Sequence, residues 1–192
     1  MNGKITNILL VGVGGQGILL ASEILSETFM LAGFDVKKSE IHGMSQRGGS
    51  VVSHVRFGNK VFSPIIPEGE GDILFGFEIM ETCRYLPLLK KNASVIANDL
   101  CIPPPSVLSG REQYPTGLAE RIRSEFPDFL LVDGLKIATE AGNPRTANTA
   151  LLGAVSKRLD ISEKYWLTAI EKMVPSRAFE VNRQSFLAGR AL

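Results

Sequence analysis

Near its beginning the sequence reads Ile8-Leu9-Leu10-Val11-Gly12-Val13-Gly14-Gly15-Gln16-Gly17-Ile18, which is the clearest structural signal in the chain. An apolar run, typical of a buried strand, leads into a glycine-rich turn that opens a helix. The spacing Gly12-x-Gly14-x-x-Gly17 lets main-chain N–H groups at a helix N-terminus face a phosphate or another anion. This context predicts a Rossmann-like first βαβ unit. Close packing of a helix on a strand explains the glycines equally well, so a nucleotide does not follow from them alone.

Composition and charge predict a single domain, 1–192, with one substantial core. The chain has 192 residues, is 44% hydrophobic and carries a formal net charge of +1. Because the charges are balanced and scattered, we expect no nucleic-acid or membrane partner. The start, Met1–Thr6, lacks the features of a signal peptide, and no apolar run reaches the roughly 18 residues that cross a bilayer. We therefore expect a cytoplasmic protein.

The cysteines and histidines indicate no metal centre in this chain. Cys83 and Cys101 are the two cysteines, and they form no CxxC pattern. This excludes a disulfide framework, a zinc site and an all-cysteine iron–sulfur cluster within the chain, and it predicts reduced, partly buried thiols. His42 and His54 have no matching acid or thiol cluster, so we expect solvent-facing or hydrogen-bonded histidines.

The order of strands and helices predicts an α/β fold, a Rossmann-like three-layer sandwich with a mostly parallel sheet. After the first helix, strands are expected at 36–41, 72–77, 93–97 and 129–132, and helices at 79–91, 118–126, 135–141, 147–159, 163–173 and 177–188. The helix 79–91 should bend or end near Pro87, and Pro103–Pro105 should form an extended connector.

An antiparallel insertion interrupts this alternation. Ser50–Phe57 and Lys60–Ser63 are both strand-like, and they flank Gly58-Asn59, a two-residue turn of the kind that closes hairpins. The pattern predicts an inserted β-hairpin near residues 50–63. An ordinary βαβαβ nucleotide-binding unit has no such insertion.

The loop Ser45-Gln46-Arg47-Gly48-Gly49 is the second unusual feature. An arginine between polar residues and paired glycines can present a guanidinium and free N–H groups to a carboxylate or phosphate. The loop follows the second strand, so it should lie at the same carboxyl edge of the sheet as the Gly12–Gly17 turn. Convergence of the two loops favours a ligand or subunit contact over a merely tight loop.

Two cofactor motifs are incomplete. A dinucleotide site needs a carboxylate about 20 residues past the glycines, at the end of the second strand. Asp35 falls before that strand and is interpreted as a turn residue, whereas Glu40 stands beside two lysines. Gly71-Asp72, with Asn98 downstream, loosely matches the thiamine diphosphate–magnesium motif, but isoleucine replaces its next glycine. We interpret Asp72 as the start of a buried strand, and no catalytic residue can be named.

The motifs, taken in order, resemble the gamma-type subunit or domain of the 2-oxoacid:ferredoxin oxidoreductases, with the indolepyruvate type as the close match. The likeness rests on Gly12-Val13-Gly14-Gly15-Gln16-Gly17, Ser45-Gln46-Arg47-Gly48-Gly49-Ser50-Val51-Val52 and Phe77-Glu78. It continues through Asn148-Thr149-Ala150-Leu151-Leu152-Gly153 to the final helix with Asn182 and Phe186.

The resemblance implies a share in the oxidative decarboxylation of an aryl 2-oxoacid such as indolepyruvate, with coenzyme A forming the thioester and ferredoxin taking two electrons. Such chemistry needs a thiazolium carbanion and iron–sulfur clusters. We expect thiamine diphosphate, Mg²⁺ and 4Fe–4S clusters on a larger alpha partner subunit, and this chain to be inactive alone.

Two glycine-rich segments are the binding or interface candidates. They comprise Gly12, Gly14, Gly15, Gln16 and Gly17, together with Ser45, Gln46, Arg47, Gly48 and Gly49. The residues leave open whether these segments touch cofactor, coenzyme A or only protein. The alternatives to the subunit hypothesis are a stand-alone NAD(P)-binding oxidoreductase and a nucleotide-binding scaffold module.

Overall fold

A computed structural model describes residues 5–42 and 49–192, with only the main chain of His42. Its middle layer is a six-stranded sheet in the order β2-β3-β1-β4-β5-β6. The strands are β1 (Thr6–Val13), β2 (Asp35–His42), β3 (Ser50–Gly58), β4 (Gly71–Gly76), β5 (Leu89–Asn98) and β6 (Phe129–Val132). β3 runs antiparallel to both of its neighbours, and the other strands share one direction. The predicted α/β class with a mostly parallel sheet is confirmed.

Helices cover both faces of the sheet. They are α1 (Ile18–Leu31), α2 (Ile79–Arg84), α3 (Pro105–Leu108), α4 (Leu118–Glu125), α5 (Gly134–Glu140), α6 (Ala147–Ser156), α7 (Glu163–Met173) and α8 (Phe179–Arg190). One core, with Phe29, Leu151 and Trp166, lies between the sheet and α1, α6, α7 and α8. The other, with Leu9 and Ile122, lies under α2 and α4. None of the described helices has both the length and the apolar character needed to cross a bilayer.

An antiparallel strand is present where the sequence predicts it, but the predicted hairpin between residues 50–57 and 60–63 is wrong. β3 pairs along its length with β1 and β2, while residues 60–63 form no strand. Because both hydrogen-bonding edges of β3 are occupied, the chain after Gly58 cannot fold back beside it. Instead, the main-chain N–H of Val61 donates to the Asp35 carboxylate at 2.9 Å, which holds this segment beside the start of β2.

Proline determines two element boundaries that differ from expectation. The helix predicted over 79–91 ends at Arg84, Pro87 lies in a 3-10 turn, and β5 begins at Leu89. The proline ring removes a helical hydrogen bond and clashes with the preceding turn, so the helix stops before it. Pro105 begins α3 instead of extending the connector, because the first helical position tolerates a residue without an N–H.

Candidate functional site

The glycine turn lies at the carboxyl edge of the sheet, between β1 and α1. A Cβ added to Gly12 would lie 2.6 Å from Oε1 of Gln16 and 2.8 Å from Cβ of Phe77, so close packing requires glycine there. Gly15 and Gly17 have φ angles of +99° and +80°, in the left-handed region that favours glycine. Gly15 has open space where its Cβ would be.

The Gln16 side chain connects the ends of two strands. Its Oε1 accepts a hydrogen bond from the main-chain N–H of Val13 at 2.6 Å, and its Nε2 donates to the carbonyl of Phe77 at 2.8 Å. Val13 ends β1 and Phe77 follows β4, so one amide joins the two central parallel strands where the turn begins. Its side chain therefore orders the turn from inside the protein.

Unpaired main-chain donors surround the start of α1. Within the described ranges, no acceptor takes the N–H groups of Gly15, Gly17, Ile18 or Leu19, whereas the N–H of Ala21 already donates to the carbonyl of Gly17. α1 has 14 residues, no side-chain cap at its N-terminus and no acidic residue in its first turn. The helix dipole and these donors together favour an anion at this position.

A shallow depression of about 400 Å³ lies in front of these donors. The described residues around it include Gly14, Gly15, Gly17, Ile18, Leu19 and Val51. Its walls are apolar side chains and glycine main chain, so the N–H groups are its polar component. Such a surface suits a phosphate-bearing ligand or a protein segment that ends in an anionic group.

The second predicted loop meets the glycine turn at its end. The N–H of Gly14 donates to the carbonyl of Gly49 at 3.0 Å, and Val13 pairs with Ser50. This places Gly49 beside the turn, as the convergence hypothesis predicts. Ser45, Gln46, Arg47 and Gly48 lie outside the described residues.

A buried carboxylate lies next to the turn, at a residue that in the sequence carries only the family resemblance and has no predicted role. Glu78 is fully buried and accepts hydrogen bonds from the N–H groups of Glu81 at 2.7 Å and Ile102 at 3.2 Å, and from the hydroxyl of Tyr114. Burial, followed by the hydrogen bond to Glu78, raises the pKa of Tyr114. The sequence signal is weak, because glutamate is an uncommon N-cap residue. We name these contacts the Glu78 latch, since they hold the connector after β5 against α2.

The carboxylates considered for a ribose contact are used within the fold. Asp35 accepts the N–H of Val61 and pairs with Lys37 at 3.1 Å, and these two contacts hold the pKa of Asp35 below its ordinary value. Glu40 pairs with Lys38 at 2.8 Å. In addition, β3 lies between β2 and β1, which moves the end of β2 roughly 9–10 Å from the turn. In a dinucleotide-binding fold the first and second strands are neighbours, so the separation of β1 from β2 disfavours the NAD alternative.

Asp72 and Asn98 do not form one site. Asp72 stands near the start of β4, where it accepts the N–H of Asn7 at 2.9 Å and pairs with Lys90. Asn98 ends β5 and accepts the N–H of Gly134 at 3.0 Å. Because β4 and β5 are parallel, the two side chains lie at opposite edges of the sheet. The interpretation of Asp72 as a strand residue is confirmed.

His54, Cys83 and Cys101 do not come together in a metal-binding cluster within the described residues. His54 is buried, and its Nδ1 accepts the N–H of Ile66 at 3.1 Å, as expected for a hydrogen-bonded histidine. Cys83 is half-buried, and its burial raises the pKa of the thiol. Cys101 is exposed, which corrects the prediction that both thiols are partly buried. In residues 5–42 and 49–192, no three His, Cys, Asp or Glu side chains converge as metal ligands.

Comparison with known sequences identifies the family. The model of the family described as pyruvate ferredoxin/flavodoxin oxidoreductase matches residues 7–192. The chain belongs to this family. Among curated oxidoreductase relatives, the indolepyruvate oxidoreductase subunit IorB of Thermococcus kodakarensis is 40% identical over 188 residues, which cover 95% of this chain and 93% of the relative. The resemblance drawn from the glycine-rich segments is confirmed.

Solved structures of oxidoreductases share this fold. The gamma subunit of keto/oxoacid ferredoxin oxidoreductase from Geobacter sulfurreducens aligns with a TM-score of 0.72 at 21% identity, over 96% of this chain and 95% of that one. The 2-oxoglutarate:ferredoxin oxidoreductase of Magnetococcus marinus aligns with a TM-score of 0.75 at 18% identity, over 99% of this chain and 31% of that one. In the second case the fold is one part of a longer chain.

Proposed function

We propose that this chain is the small subunit of an indolepyruvate:ferredoxin oxidoreductase. The observation that carries the proposal is the 40% identity to an IorB subunit across 95% of the chain. In the overall reaction the bond between C1 and C2 of the 2-oxoacid breaks and carbon dioxide leaves. The acyl carbon forms a thioester with coenzyme A, two electrons reduce ferredoxin, and one proton is released.

The cofactors belong, in this proposal, to a larger alpha subunit. Thiamine diphosphate with Mg²⁺ supplies an electron sink, and 4Fe–4S clusters conduct the electrons. A 4Fe–4S cluster takes four cysteine ligands, whereas this chain has two cysteines, Cys83 and Cys101. Asp72 and Asn98 lie at opposite sheet edges, so they do not fit a diphosphate–magnesium site. The two thiols, which form no disulfide, support a reducing compartment such as the cytoplasm.

The role proposed for this chain is to complete the shared cleft with its two glycine-rich segments. The N–H groups of Gly15, Gly17 and Ile18, which no described residue accepts, would face an anionic group of cofactor or coenzyme A, or the partner subunit itself. Gly12 and Gln16 hold that turn in place. The loop from Ser45 to Gly49 is proposed to border the same cleft, because Gly49 is joined to Gly14.

Reconstitution tests the subunit assignment. The chain is expressed alone and together with a cysteine-rich alpha subunit of this family, and benzyl viologen reduction is measured with indolepyruvate and coenzyme A. We expect reduction by the co-purified complex and none by either chain alone. Pyruvate in place of indolepyruvate serves as the control for the aryl preference. Substrate oxidation with NAD by the isolated chain would contradict the proposal.

A charge placed in the depression tests the anion-binding role of the turn. Leu19 is 41% exposed there, so Leu19→Glu and Leu19→Gln introduce side chains of one size that differ in charge. We expect the glutamate to raise the KM for coenzyme A, or to weaken subunit association, about tenfold more than the glutamine does. Equal effects of the two variants would refute anion binding. A change in the KM for coenzyme A would indicate that the turn contacts coenzyme A, and a change in the subunit dissociation constant would indicate that it contacts the partner subunit.

A further inference from the structure

A groove opens at the carboxyl edge of the sheet, on the face covered by α2. We call it the α2 groove; its volume is about 330 Å³. It is bordered by Val13, Met80, Glu81, Arg84, Pro104 and Leu108, among others. The Glu78 latch holds its proline-rich wall, because the N–H of Ile102 donates to the Glu78 carboxylate. The groove is therefore preformed.

A buried carboxylate with one unused oxygen lies in this groove. The Glu81 side chain is 5% exposed, and its Oε1 pairs with Nη2 of Arg84 at 3.2 Å. Its Oε2 has no hydrogen-bond partner among the described residues. Buried carboxylate oxygens are normally satisfied by donors, so an unpaired one indicates that a donor from elsewhere completes the arrangement.

The rim and walls of the α2 groove are apolar. Leu108 is 74% exposed at its edge, and Met80 is half-buried beside it. Exposed apolar side chains around a concave surface mark protein interfaces more often than they mark open surface. Arg84 is 57% exposed, so the ion pair with Glu81 reaches the mouth of the groove.

The α2 groove is continuous with the candidate site. Val13 follows Gly12 in β1, and Ser50, which also borders the groove, follows Gly49. A protein that covers the two glycine-rich segments would therefore meet the groove along the same edge. Tyr85 also lies along this edge, because its hydroxyl is 3.2 Å from Oγ of Ser50.

We propose that the α2 groove receives a segment of the partner subunit that carries a lysine or arginine flanked by apolar residues. Oε2 of Glu81 is buried, so the exposed Arg84 side chain moves outward as the basic group donates to this oxygen. The apolar residues cover Met80, Pro104 and Leu108. A cationic donor suits this oxygen because a carboxylate forms stronger hydrogen bonds with charged donors than with neutral ones, and because solvent screens the charge of Arg84, which is 57% exposed. The inference rests on the proposed function for the identity of the partner.

Binding measurements on the assembled pair test this contact. The dissociation constant of the chain and its alpha subunit is measured at low and at high salt, for wild type and for Glu81→Gln. We expect the variant to bind about tenfold more weakly at low salt and to lose part of the salt dependence. Glu120→Gln, on the exposed side of α4, is the matched control and should bind as wild type does.

Thermal unfolding of the free chain separates a contact from a folding defect. Because Oε2 of Glu81 has no internal donor among the described residues, the unfolding midpoint of Glu81→Gln should stay level or rise. Leu108→Ser provides a second variant that does not disturb the core, and it too should weaken association. Met30→Ser, at the opposite edge of the sheet and 52% exposed, should leave association unchanged.

The outcomes distinguish this inference from the proposed function. Failure of the wild-type chain to join the alpha subunit contradicts the proposed function. Normal assembly with wild-type affinity in both Glu81→Gln and Leu108→Ser overturns the groove contact alone. Weaker binding of both variants with normal unfolding supports it.

Discussion

Gly15 and Gly17 share a left-handed backbone but differ in the space around them. A Cβ on Gly15 meets nothing within 4 Å, whereas a Cβ on Gly17 would lie 2.7 Å from Nδ2 of Asn148. Gly15→Ala should lower the free energy of unfolding by about 1–2 kcal/mol through backbone strain. Gly17→Ala should cost about 1 kcal/mol more, because Asn148 must move. Chemical denaturation of the two variants measures the difference, and equal losses would contradict it.

His54 makes stability depend on pH. Burial, and then the charge of Arg56, lowers the pKa of His54 from its ordinary value of 6.5. The folded state therefore favours the neutral ring, whose Nδ1 accepts the N–H of Ile66. The contribution of the neutral His54 ring to the free energy of unfolding is complete above pH 6.5. It is lost as the pH falls from 6.5 through the lowered pKa of His54.

The measurement for His54 is the free energy of unfolding across that pH range. His54→Asn keeps an acceptor near the Nδ1 position and does not titrate, so its stability should fall less between neutral and mildly acidic pH. A wild-type curve parallel to that of His54→Asn would show that His54 does not titrate on unfolding.

Helices α6 and α8 cross with their backbones in contact. A Cβ on Gly189 would overlap the carbonyl of Ala150, and one on Gly153 would overlap the carbonyl of Phe186. Because these are main-chain atoms, neither helix can yield without moving away from the other. Gly189→Ala should therefore lower the unfolding free energy by about 3 kcal/mol, although alanine has the higher helix propensity.

Ala188→Gly is the control for this crossing, because Ala188 is exposed on the same helix. It should cost about 1 kcal/mol or less. Circular dichroism during thermal unfolding gives both values. A gain in stability for Gly189→Ala would show that the helices are not in such close contact.

The end of α2 and the start of β5 show that proline and strand pairing override a local helical pattern. The helical pattern over 79–91 was broken by Pro87, and the part after it joined β5, since Leu89 pairs with Gly71 of β4. By contrast, β6 has the predicted range, because its apolar run is short and bounded by turns. Local pattern predicts an element well where no neighbouring strand competes for the same residues.

The order of the strands predicts which amides of the sheet are protected from hydrogen exchange. β1 and β4 lie in the middle of the described sheet, and β2 lies at its end. Amides of β1 and β4 should exchange only on global unfolding, and alternate amides of β2, those facing away from β3, should exchange quickly. Native-state exchange resolved by residue measures this. Uniform protection along β2 would indicate an interior strand, as in a dinucleotide-binding order.

The sequence alone determined the α/β class, the strand–turn–helix unit at Gly12–Gly17 and the family, because apolar runs, glycine spacing and motif order are local properties of the chain. The folded chain was needed to show that β3 separates β2 from β1 and that Gln16 joins the ends of β1 and β4. It was also needed to show that Glu81 is buried, with one oxygen that has no hydrogen-bond partner among the described residues. Strand pairing, burial and hydrogen-bond partners depend on residues far apart in the sequence, which are brought together only when the whole core packs.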